Sequence, residues 1–124
     1  MSRLFSLENL YQLNLSLLIT HEIDSAFWKE WEFFGLPGGI QLFLLLNFAL
    51  VILLLHGYER LVRKQSLWKM FSWLVIAAGF IAALLHGYFL AAGHPQFRLA
   101  ASLITLVAIL LTSVAQTTIM LKQE

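Results

Sequence analysis

The sequence predicts an all-α integral membrane protein, a bundle of four transmembrane helices. Hydrophobic residues make up 60% of its 124 residues and charged residues only 12%, whereas soluble domains are roughly half apolar and a quarter charged. A single domain of this size exposes so much surface that it cannot hide this many apolar side chains from water. Three long runs also lack Asp, Glu, Lys and Arg: Gly38 to Tyr58, Met70 to Phe97, and Leu99 to Leu121. Each run is long enough to cross a bilayer as a helix.

The first helix is predicted over about residues 7–34, ending at the glycines and proline of "GLPGG". At about 100° per residue, most of its polar side chains fall on one stripe. The stripe is centred on His21 and includes, within about 60°, Leu10, Asn14, Leu17, Asp24, Ser25, Trp28 and Glu32. A loop in water would have no reason to keep this register, so we expect one amphipathic helix whose stripe faces its neighbours.

Two other interpretations of this segment remain open. One is a short span followed by a separate aromatic helix that lies in the membrane surface. The other is a cleaved signal peptide, although no A-x-A-like site follows the apolar patch.

The three remaining helices are predicted over about residues 39–60, 67–92 and 97–121. The connection between the second and third predicted helices holds most of the basic residues: Arg60, Arg63, Lys64 and Lys69. The other two connections hold only Lys29 and Arg98. Because cytoplasmic loops carry an excess of Lys and Arg, this connection is expected in the cytoplasm, together with the N and C termini.

Small residues predict how the helices pack, since they let backbones approach closely in lipid. The last helix has a heptad-like seam, which we expect to support packing and homo-oligomer formation: Ala101, Thr105, Ala108, Thr112 and Ala115. On the preceding helix, His86 shares one face with Gly79 and Ala82. His86 should therefore point into protein.

The candidate site is a divalent-metal site formed by His21, Asp24 and His86. An ionisable side chain inside hydrocarbon costs roughly 2.5 to 3.5 kcal/mol on insertion scales, so it is usually paired and often functional. His21 and Asp24 lie one helical turn apart, and His86 falls at a similar depth. Two imidazoles and a carboxylate suit zinc, iron or manganese and leave positions for water. With Glu22 as general base, such a site predicts hydrolysis of an apolar or lipid substrate.

Two alternatives use the same residues. In the first, the protein is a non-enzymatic bundle, an assembly partner or a small permeation or proton-handling element. His21 and Asp24 then only hydrogen-bond within the stripe, and Trp28 and Trp31 anchor the helix at the headgroups. In the second, His21 and His86 bind a haem between them.

Several functional classes are excluded by the sequence. The net charge of +1 and the absence of a basic run give no support for a nucleic-acid partner. Cysteine is absent, so there are no disulfides, thiolate ligands or cysteine nucleophiles. Neither a glycine-rich phosphate loop nor a G-x-S-x-G elbow occurs, and "HEIDS" lacks the second histidine of an H-E-x-x-H peptidase.

The motif "HEID" on a first helix, followed by aromatic residues and by histidines on later spans, resembles the HXXEE-type and related families of short bacterial membrane proteins. This resemblance implies a bacterial inner-membrane protein and a suspected membrane enzyme without an established reaction. It extends to His21 and Asp24, as the pair of histidine and acid, and to His86. The sequence departs from the motif at Ser25, where a second acid is expected.

Overall fold

The computed structural model describes residues 5–123, and all regular structure in this range is helical. The helices are α1 (Leu7–Phe27), α2 (Glu30–Phe33), α3 (Ile40–Val62), α4 (Trp68–Ala91) and α5 (Ala100–Lys122). Of these, α3, α4 and α5 are long and apolar enough to cross a membrane. The all-α prediction and the three apolar spans are therefore confirmed.

The first predicted helix is interrupted near its C-terminal end. It begins as a capped helix, because the Ser6 hydroxyl accepts a hydrogen bond from the Asn9 amide at 3.2 Å. It ends at Phe27, and Lys29 takes a left-handed backbone conformation with φ of 55°, through which a right-handed helix cannot continue. The prediction of one helix over residues 7–34 was wrong. A shorter helix followed by a separate aromatic one, α2, is what the structure contains.

α1 contacts all three apolar helices, α3, α4 and α5. Its polar stripe faces inward, since Asn14, His21 and Ser25 are all buried. On the outside of the bundle, large apolar residues such as Leu45, Phe48 and Ile104 are exposed on α3 and α5. An apolar surface of this extent is suited to contact with lipid.

A group of uncharged polar side chains joins α1 to α5, and we call it the amide cluster: Asn14, Ser113 and Gln116. The Asn14 amide donates to Gln116 Oε1 at 2.6 Å and to Ser113 Oγ at 3.1 Å. Gly79 of α4 lies against this group, where a Cβ would collide with the Ser113 hydroxyl. The glycine therefore allows three helices to meet closely.

The basic connection and both ends of the described chain lie at one end of the molecule. Lys64 Nζ is 3.3 Å from Glu8 Oε1, and Lys69 Nζ donates to the Gln123 carbonyl at 3.4 Å. The N-terminal ends of α1 and α4 therefore lie at the same end of the molecule, and their C-terminal turns lie at the opposite end. His21 and His86 both lie toward that opposite end.

The small-residue seam of α5 only partly coincides with the face that α5 buries inside the chain. Thr112 is buried, but Ala101 is exposed and Ala108 is partly exposed. The buried face of α5 is instead formed mainly by Ser102, Leu106, Ile109, Ser113, Gln116 and Met120. A homo-oligomer through Ala101, Thr105, Ala108, Thr112 and Ala115 stays a prediction.

Candidate metal centre

Three ionisable side chains from three helices meet at the end of the molecule that lies away from the basic connection. His21 of α1, Glu30 of α2 and His86 of α4 each place one potential ligand atom within 4.8 Å of the other two. All three residues are buried, with 1%, 7% and 2% of their surfaces exposed. We call them the His–Glu–His cluster. Two imidazole nitrogens and one carboxylate oxygen can hold a divalent metal and leave coordination positions open.

The His86 ring is oriented by the backbone of its own helix. Its Nδ1 donates to the Ala82 carbonyl at 2.8 Å, because a carbonyl oxygen can only accept. In the neutral ring, Nε2 then carries the lone pair, and this nitrogen lies 3.0 Å from Glu30 Oε1. Two acceptors this close repel each other unless a proton or a metal ion lies between them. A backbone carbonyl behind the ring is also a common arrangement for metal-binding histidines.

The His21 ring has a free nitrogen. Its Nε2 lies 3.4 Å from Ser25 Oγ, whereas its Nδ1 is buried and has no hydrogen-bond partner within residues 5–123. Buried polar atoms without a partner are rare, since each carries a desolvation cost of about 1–3 kcal/mol. A metal ion bound at this nitrogen would supply the missing partner.

Glu30 reaches the cluster because of the break after α1. The left-handed residue Lys29 redirects the chain, so that α2 begins with Glu30 facing inward. Burial raises the pKa of the Glu30 carboxyl. Hydrogen bonds to His86 and Ser25, together with the nearby histidine charges, lower this pKa by more than burial raises it. The pKa of Glu30 therefore lies below its ordinary value, which favours the carboxylate form that a metal requires.

Phe97 covers the cluster from the connection between α4 and α5. Its ring centroid lies 5.8 Å from that of His21 and 4.6 Å from that of His86. Phe97 is buried and has a positive φ of 65°, a conformation that a bulky residue keeps only when its surroundings hold it there. The two imidazole centroids are themselves only 4.3 Å apart, in an edge-to-face arrangement. This separation leaves no room for a porphyrin between the rings, which disfavours the haem interpretation.

A cavity of about 360 Å³ adjoins the cluster between α1, α3 and α4. Its polar end is formed by the three cluster residues together with Glu22 and Asn47. The rest of its wall is apolar: Leu15, Leu18, Ile19, Phe34, Leu50, Val51, Leu54, Ala78, Ile81, Ala82 and Leu85. The cluster is thus buried, yet a ligand in the cavity would lie beside it.

The structure separates the predicted site residues. His21 and His86 are together, as the prediction required, but Asp24 is not part of the group. The Asp24 carboxylate accepts a hydrogen bond from Trp28 Nε1 at 3.0 Å and faces a groove beside α5. Glu22, the predicted general base, lines the cavity next to the cluster.

Glu30 takes the place that Asp24 was expected to fill, and Asn47 adds a polar group from α3. On one continuous helix, Glu30 would lie about 180° from His21, because nine residues at about 100° each give two and a half turns. Helical periodicity therefore argued against Glu30 as a partner of His21. The only signal in the sequence was the density of carboxylates before "GLPGG".

Comparison with known proteins adds a family assignment. A model described as a family of unknown function (DUF6713) matches residues 7–123. The chain belongs to this family. The match covers every helix of the structure and both histidines of the cluster, but the family description gives no reaction. No curated protein and no solved structure matches the chain.

Proposed function

We propose that the protein is a four-helix bundle of the bacterial inner membrane, in which α1 crosses together with the three apolar helices. Support comes from the exposed leucine-rich faces of α3, α4 and α5. Lipid would be the first partner of these faces. The basic connection between α3 and α4 would be cytoplasmic, with the chain ends beside it. The His–Glu–His cluster would then lie toward the outer leaflet.

Within this bundle, the His–Glu–His cluster binds one divalent metal ion, with zinc, iron and manganese as the candidates. The observation that carries this proposal is the convergence of three buried donors while His21 Nδ1 has no other partner in the described chain. Uncompensated ionisable groups are expensive in a membrane interior. A shared cation neutralises the carboxylate and satisfies both imidazoles.

The chemistry that such a centre favours is hydrolysis. A divalent ion held by the two imidazoles and the carboxylate of the cluster would lower the pKa of a water and polarise a carbonyl. In the proposed reaction, the oxygen of a water forms a bond to the carbonyl carbon of an apolar ester. A proton of that water passes to Glu22, and the bond to the alcohol oxygen breaks as that oxygen takes the proton. Water and ester become acid and alcohol, with no change of redox state.

Metal analysis of the purified protein tests the centre. We expect one equivalent of metal in the wild type and loss of it in Glu30→Gln, which keeps the shape of the side chain but removes its charge. Glu32→Gln is the matched control, since Glu32 belongs to the same short helix and is exposed. Equal trace metal in wild type, Glu30→Gln and Glu32→Gln would remove the proposal.

A second candidate function is supported by the 3.0 Å contact between His86 Nε2 and Glu30 Oε1. Without a metal, a proton can occupy this contact, and the pair would act in proton transfer through a non-enzymatic bundle. Proton flux into liposomes containing the protein tests this function. A flux that Glu30→Gln abolishes, in protein shown to be free of metal, would favour proton transfer over the metal centre.

A further inference from the structure

The cavity beside the His–Glu–His cluster has two chemically different ends. Its polar end lies at His21, Asn47 and His86, and its apolar end is lined by Leu15, Leu54 and Ala78. Along α4, eight residues separate His86 from Ala78, which corresponds to about 12 Å along the helix axis. A molecule that fills the cavity must therefore combine one polar group with an apolar tail of this order of length.

The wall of the cavity reaches the outer apolar surface of the protein. Leu50 of α3 and Ile81 of α4 both line it, and they are 40% and 64% exposed. These side chains belong to the faces that the proposed function places against lipid. A ligand can thus enter sideways from the bilayer, between α3 and α4, without passing through water.

The size of the cavity limits the occupant to a narrow molecule. About 360 Å³ is at the lower end of the range of small-molecule pockets, roughly 300–1,000 Å³. This volume suits one aliphatic chain and is too small to hold both chains of an ordinary bilayer lipid.

The charges of the residues that line the cavity limit which polar headgroup a ligand can carry. Two carboxylates, Glu22 and Glu30, border the cavity, and no lysine or arginine of residues 5–123 does so. Even with a divalent cation in the cluster, the formal charges only cancel. The cavity therefore offers an anionic headgroup no net attraction, and without a metal it offers no cationic group at all, whereas anions in proteins are normally bound by Arg, Lys or helix N-termini.

We infer that the cavity binds a single-chain amphiphile with an uncharged polar head, such as a monoacyl ester, taken up laterally from the membrane. The head lies at the His–Glu–His cluster and the tail lies between α3 and α4. This inference rests on the proposed function for the identity of the ester as substrate. The binding itself depends only on the shape and charge of the cavity.

Photo-crosslinking in lipid nanodiscs tests the inference, with a diazirine in the acyl tail of the probe. Monoacylglycerol is the uncharged probe, and lysophosphatidic acid with the same tail is the anionic one. We expect monoacylglycerol to label the segments around Leu50 and Ile81 about tenfold more strongly than lysophosphatidic acid. Leu50→Trp places a larger side chain in the wall of the cavity and should reduce this labelling by about tenfold, which corresponds to about 1.4 kcal/mol of binding free energy.

Leu45→Trp is the matched control, because Leu45 lies on the same helix, is 66% exposed and does not line the cavity. It should leave labelling unchanged. Equal labelling by both probes, or labelling that Leu50→Trp leaves intact, overturns the inference.

The two proposals fail separately. Labelling that persists in a protein without metal, and that Leu50→Trp still blocks, supports the binding inference while removing the metal centre. A protein that holds metal but shows no preferential labelling keeps the centre and refutes the single-chain ligand.

Discussion

The amide cluster and the His–Glu–His cluster lie on the same face of α1, seven residues apart, yet their surroundings differ. Asn14 is hydrogen-bonded to Ser113 and Gln116 and lies against Gly79. His21 belongs to an ionisable group beside a cavity of about 360 Å³. One polar stripe therefore contains two kinds of site. The first holds helices together, and the second combines ionisable donor atoms with open space beside them.

If this division is correct, the largest effect comes from His21→Ala. Removal of one of three ligands should weaken metal binding by about 100-fold or more, since even partners behind the ligands typically contribute 10–100-fold. Competition with a chelator measures the affinity. His56→Ala is the control, because His56 is exposed and accepts a hydrogen bond from Arg60 Nε at 3.2 Å. Equal losses in both variants would contradict the assignment of His21.

The next largest effect is expected at the amide cluster. Gly79→Ala places a methyl group against Ser113 and Asn14, and overpacking of this kind costs about 1–3 kcal/mol. The free energy of unfolding in mild detergent, measured by denaturant titration, should fall by that amount while metal affinity stays the same. Gly87→Ala is the control, since a Cβ there meets nothing within 4 Å. A loss of metal without a loss of stability in Gly79→Ala would contradict the assignment of the amide cluster to packing and of the His–Glu–His cluster to metal binding.

A smaller effect is predicted for Asn14→Leu. Hydrogen bonds between membrane helices contribute on average about 0.6 kcal/mol and at most about 1.7. Loss of the two bonds made by the Asn14 amide should therefore destabilise the protein by about 1 kcal/mol. Gln12→Leu, at an exposed position of the same helix, should change the free energy of unfolding by less. If Asn14→Leu abolished metal binding in folded protein, the two clusters would act as one unit.

The smallest effect is expected for Asp24→Asn. Asp24 lies outside the His–Glu–His cluster, and its carboxylate contacts Trp28 at 3.0 Å. An asparagine oxygen can accept the same hydrogen bond, so stability should change by less than about 0.5 kcal/mol. Metal content should equal that of the wild type. Loss of metal in Asp24→Asn would restore Asp24 as a ligand.

The parts of the structure that the sequence predicted are those that depend on local patterns. Hydropathy located α3, α4 and α5, and helical periodicity placed Asn14, His21 and Ser25 on the buried side of α1. His86 was found because it shares a helix face with small residues. These signals are contained in a few turns of helix and need no knowledge of the remaining chain.

The remainder depends on one backbone conformation. Lys29 adopts a positive φ, which ends α1 and turns Glu30 toward the histidines. A lysine does not signal this conformation in a sequence, because only glycine adopts it without cost. Asp24 was favoured because it is one turn from His21, but at about 60° from His21 it lies at the edge of the stripe and faces α5.

X-ray absorption at the edge of the bound metal tests the central claim most directly, because it reports the ligands themselves. We expect two imidazole nitrogens and a carboxylate oxygen in the first coordination shell, at about 2.0–2.2 Å for zinc. In His21→Ala and in His86→Ala, any metal that remains should show one imidazole fewer. A shell of oxygen atoms alone that neither variant changes would contradict the claim that the His–Glu–His cluster holds the metal.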